Sequence, residues 1–196
     1  MAQQIERLAR FVAETTLEQV PQDVQRYAKL VALDTLGVIL AGAERPEVRD
    51  LRQRIAVTAG SGATVFAPGW PEADPRAAAL LNGIAGRAIE LGEGHRYVSY
   101  QGAMQILPGV LAVGESARRP GRDALTALIV GYDAGARIGM AMKMRPLAHQ
   151  NGQAAMLGAA TPLSTWMTPF RNAAITCGAT PLRIRLASSP IVTSRT

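Results

Sequence analysis

Asn82 to Pro108 reads NGIAGRAIELGEGHRYVSYQGAMQILP. It begins as an alanine-rich helix and breaks at Gly92 and Gly94. It then crosses a polar loop that carries Glu90, Glu93, His95, Arg96, Tyr97 and Gln101, and turns helical again near Met104. Carboxylates, an imidazole and glycines crowd together here between two apolar helices. Loops held by rigid elements are where chemistry tends to sit, so any active site is expected to include this loop.

The flanking sequence is also helical in pattern. Upstream, Ile5, Leu8, Phe11 and Val12 recur at helical spacing over residues 4–15. Pro21 stands where a second helix should start, and Val24, Tyr27, Val31, Leu36 and Ile39 carry that helix to Gly42. Its C-terminal half is almost wholly apolar, which predicts a central place in the core. Asp34 within it is expected to be a hydrogen-bonded structural residue. Residues 47–58 predict a third helix with exposed arginines, and Thr64 to Phe66 a short extended segment between glycines and Pro-Gly. Asp74-Pro75 supplies an N-cap and a first-turn proline for a helix over residues 75–91. Downstream, residues 106–118 and 123–144 read as helices, with Asp133 and Arg137 four apart. Met140, Met142 and Met144 read as core filler. Residues 149–160 read as a loop running into a small-residue helix, and residues 169–177 as a further turn or two of helix. The last residues lack acids and periodicity and read as an irregular tail. The fold class is all-α with at most a token strand.

The 196 residues are 48% hydrophobic and 18% charged, enough for a sizeable core. The net charge is +6, but all 15 acidic residues lie at or before Asp133, so the excess belongs to the C-terminal third. Basic residues are not interleaved with aromatics, which argues against a nucleic-acid partner. Leu30 to Ala43, the longest apolar run, is too short to span a bilayer. With one cysteine, Cys177, and no basic-then-apolar N-terminus, a cytoplasmic protein without membrane contact is expected.

Glu90 and Glu93 are three apart, a spacing at which two acids can divide acid and base roles if their environments differ. The plain alternative is a pair of solvated surface glutamates. His95 and His149 are the only histidines and are candidate general bases. So few dispersed ligands do not make a metal site, and no nucleophile elbow is present.

LDTLGVILAGA (Leu33 to Ala43), AALLNGIAGRAIEL (Ala78 to Leu91) and GRDALTALIVGYDAGARIG (Gly121 to Gly139) stand in order along the chain. Together they resemble the MmgE/PrpD family, which includes 2-methylcitrate dehydratase, cis-aconitate decarboxylase and relatives proposed as epimerases. The resemblance runs in order from about residue 5 to about residue 160. It implies a large helical domain, a smaller α+β lid, a homodimer, and a cofactor-free lyase that takes a proton beside a carboxylate of a small di- or tricarboxylic acid. Position by position, Glu90 and His95 fit the family's acidic motif and Glu93 replaces an aspartate, whereas Gly92 stands where a carboxylate is usual. Gln101 stands where a catalytic histidine is expected, and glutamine cannot take a proton at neutral pH. His149 matches the histidine of a later motif in which Asn151 replaces threonine and Gly152 is kept. The resemblance therefore implies Glu90, Glu93, His95 and His149 as catalytic residues, and Arg96, Gln101 and Asn151 as substrate contacts, with no metal or cofactor. Family chains are more than twice as long. The expectation is thus a partial helical domain over residues 1–160, a divergent tail over residues 161–196, no lid, and weak or absent lyase activity. An isomerase or epimerase, or a non-catalytic helical fragment that binds itself or a homologue, are the alternatives.

Overall fold

The computed structural model describes residues 2–55, 62–98, 100–142 and 150–166. These contain seven α-helices: α1 (Ala2–Glu14), α2 (Gln22–Ala43), α3 (Pro46–Arg54), α4 (Pro75–Arg87), α5 (Gly102–Ser116), α6 (Gly121–Ala141) and α7 (Gln150–Trp166). Among the described residues there is no strand, only isolated bridges joining Ala63 to Ala73 and His95 to Tyr100. The all-α expectation holds. The predicted extended segment near Thr64 forms no strand: next to the Ala63–Ala73 bridge, the partner of Thr64 and Phe66 is a side chain. Buried Asn82 of α4 accepts from the Phe66 N–H and donates to the Thr64 carbonyl, both at 2.9 Å.

Helix α5 is the shared element. Its Ala112 joins a core with Ile39, Ala43, Val65, Ala78 and Leu81. Its Ile106, Leu107 and Val110 join a second core with Tyr100, Leu128 and Trp166. Helices α6 and α7 meet closely because Gly131 faces Gly158: a Cβ on Gly131 would lie 2.5 Å from the Gly158 carbonyl oxygen. Asp74 caps α4 through the Arg76 and Ala77 N–H groups, as its sequence predicts.

Four expectations are corrected. Helix α2 is buried along one face of its C-terminal half and is not wholly enclosed. Tyr27, Leu30 and Leu33 are 72%, 54% and 68% exposed, so its apolar run serves two faces, and only Val38, Ile39 and Ala43 of its apolar side chains are fully buried. Asp34 is exposed on the same outer face. Met140 is exposed as well, beyond the packed part of α6. Helix α4 stops at Arg87, four residues before the expected end, and Glu90 adopts φ 54° as the chain turns away. Residues 169–177, Met144 and the C-terminal tail lie outside the described residues. No helix among the described residues is long and apolar enough to cross a membrane.

Candidate active site

The loop between α4 and α5 separates its two glutamates. Glu90 is exposed, and its two carboxylate oxygens accept from Arg87 at 2.8 and 3.0 Å. Glu93 is half-buried. One of its oxygens accepts the Ala103 N–H at 2.7 Å and the other accepts the Tyr132 hydroxyl at 2.7 Å. Gln101, the residue before α5, makes no capping bond of its own. Glu93 therefore caps α5 from nine residues away, near the partial positive charge of a helix N-terminus. Burial pushes the Glu93 carboxyl above the usual carboxylate range, and Asp34 adds to this. The Ala103 N–H, the Tyr132 hydroxyl and His95 pull the other way. Burial and the neighbouring Glu93 also push the Tyr132 and Tyr100 hydroxyls well above the usual phenol range.

His95 is fixed through its backbone, whose N–H donates to the Tyr100 carbonyl at 2.7 Å. Its ring centroid lies 6.0 Å from both Tyr97 and Tyr132, and its Nδ1 is buried without a hydrogen-bond partner. Tyr100 and Tyr132 meet edge to face at 5.3 Å. Arg96 and Tyr97 are exposed, and Arg96 makes no ion pair among the described residues. Glu93, His95, Arg96, Tyr97 and Tyr132 line one cleft of about 630 Å³, which α2 and α6 complete. A larger groove of about 840 Å³ beside α3, α4 and α5 holds Arg45 and Arg87, but each is paired with a glutamate.

The cleft thus brings Glu93, His95 and Arg96 together. Glu90 turns to Arg87 instead. Gln101 is tied at both ends of its amide, accepting from Arg87 and donating to the Gly92 carbonyl. It closes the loop on itself and does not line the cleft. Gly92 packs against Met104, whose Cγ would sit 2.9 Å from an added Cβ, so a methionine borders the place where the family pattern has a carboxylate. His149 lies outside the described residues, and Asn151 is in the first turn of α7. Tyr132 was not singled out from sequence. Its only signal there is a phenol set directly before Asp133 on a helix otherwise rich in glycine and aliphatic residues. Chemically, a carboxyl whose proton is held more tightly than usual, sharing a cleft with an imidazole and with a guanidinium that has no acid partner among the described residues, can bind an anion and move a proton.

Residues 6–170 match the MmgE/PrpD N-terminal domain. The chain is 30% identical over 142 residues to the cis-aconitate decarboxylase-like protein oryM of Aspergillus oryzae, an alignment covering 69% of this chain and 30% of that protein. It is 28% identical over 140 residues to a cis-aconitate decarboxylase of Aspergillus terreus, covering 69% of this chain and 29% of the relative. The chain therefore spans about 30% of the length of the curated relatives it matches. With the family model matched over most of its length, the chain belongs to the MmgE/PrpD family.

Proposed function

We propose that this chain forms the helical, acid-binding part of a cofactor-free lyase acting on a small di- or tricarboxylic acid, with Glu93 and His95 as its proton-handling groups. The observation that carries the reading is Glu93, held between the Ala103 N–H and the Tyr132 hydroxyl in the cleft that His95 shares. Arg96 at the rim supplies the charge to attract a carboxylate. In this reading Gln101 orders the loop rather than accepting a proton, so residues 1–196 alone turn over little or no substrate. Incubating the protein with cis-aconitate and 2-methylcitrate, with NMR detection of products, tests this. Loss of water or carbon dioxide at an ordinary enzyme rate would overturn the low-activity part. If neither acid shifts the His95 resonances at millimolar concentration, the carboxylate site itself is refuted.

A second reading, a non-catalytic helical unit that pairs with itself or with a homologue, draws on the exposed Tyr27, Leu30 and Leu33 of α2. A homodimer formed through that face would also fit the lyase reading.

A further inference from the structure

The walls of the Glu93–His95 cleft differ sharply from its polar end. Helix α2 contributes Val24, Ala28 and Val31, and α6 contributes Leu128, Ile129 and Ala136. The polar groups come from the loop at residues 93–97 and from Tyr27, Tyr132 and Asp133. Asp133 is engaged by Arg137 at 2.7 Å, which leaves Arg96 as the cleft's cation without an acid partner among the described residues. A bare polyacid is hydrated along its whole length and gains nothing from aliphatic walls. A ligand with an anionic head and an apolar arm matches both parts. This is the general pattern of ligand clefts, in which mostly apolar linings carry a few polar groups that fix orientation. From Val24 to Val31 the α2 wall runs roughly 10 Å at the helical rise, room for a chain several carbons long.

We propose that the cleft takes an alkyl-substituted carboxylic acid, with its carboxylate at Arg96 and His95 and its alkyl arm between α2 and α6. This rests on the carboxylate-lyase reading and narrows its substrate class. It adds that the acid carries an aliphatic substituent longer than a methyl group.

The test is a ligand series on the protein of residues 1–196: succinate, then methyl-, butyl- and hexylsuccinate, with hexanol as the uncharged control. Binding is followed by NMR through His95 and the methyl groups of Val31 and Ile129. Affinity is expected to rise by up to about fourfold per buried methylene, levelling off once the chain outgrows the wall. Hexanol should bind far more weakly than hexylsuccinate, and Ile129→Gln should flatten the dependence on chain length. Equal affinity for succinate and hexylsuccinate would overturn the alkyl arm while leaving the carboxylate site standing. Hexanol matching hexylsuccinate, without movement of His95, would overturn both. So would a failure of every acid to bind.

Discussion

Glu93 is a buried-side carboxyl whose two oxygens are both occupied, and its protonation is linked to folding. Its acidity is weakened in the folded state, so the native protein holds this proton at pH values where the unfolded chain has released it. Stability from this group is greatest below the usual carboxylate range and falls as pH rises through the raised folded value. Glu93→Gln keeps an oxygen for the Ala103 N–H and an amide that can donate to the Tyr132 oxygen. It should therefore flatten the pH dependence of stability from the usual carboxylate range upward and leave neutral stability equal or higher. Urea unfolding across that range checks it, and an unchanged slope would contradict the assignment. At this scale the sequence exposed the candidates but not their division of labour. Glu90 and Glu93 look alike in sequence, and only the early end of α4 at Arg87 sends one to a surface arginine and the other under α5. Tyr132 escaped because its partner lies 39 residues away, beyond any local spacing rule.

At the scale of elements, all seven described α-helices were legible, most from 3.6-residue periodicity, α4 also from its Asp-Pro start and α7 from its small residues. The ends were less legible. Helix α5 begins earlier than its apolar pattern because a distant carboxylate satisfies its first turn, and α4 ends earlier because Glu90 takes a left-handed turn. The segment from Thr64 to Phe66 reads as extended but depends on Asn82, whose amide stands in for a neighbouring strand. Asn82→Ala would leave the Phe66 N–H and Thr64 carbonyl without their partner, and should cost about 2–4 kcal/mol. The segment should also become more susceptible to proteolysis while helix content is retained. Chemical denaturation and limited digestion measure the two effects, and a loss below about 0.5 kcal/mol would show that the clip is dispensable.

Across the whole molecule, the largest mismatch between pattern and structure is α2. Its sequence is apolar enough for a central helix, yet Tyr27, Leu30 and Leu33 face outward. A contiguous apolar face of this kind marks a surface that another protein body covers, or else an aggregation hazard. Sequence cannot say which, since the same composition suits an interior and an interface. If the face mediates pairing, Leu30→Glu together with Leu33→Glu should shift the protein to a smaller species in sedimentation at micromolar concentration, with melting little changed. No change in mass would remove α2 from consideration as a pairing surface.

The bond from the Ala103 N–H to Glu93 has one more consequence. It makes the first turn of α5 a built-in gauge of what happens in the cleft. An arriving ligand that draws Glu93 aside strips that amide of its acceptor and speeds its exchange with deuterium. Ala103 itself belongs to the second apolar core, so the amide stands where the cleft meets packed structure. The isotope clock at Ala103 would then report ligand arrival even in a chain that catalyses nothing.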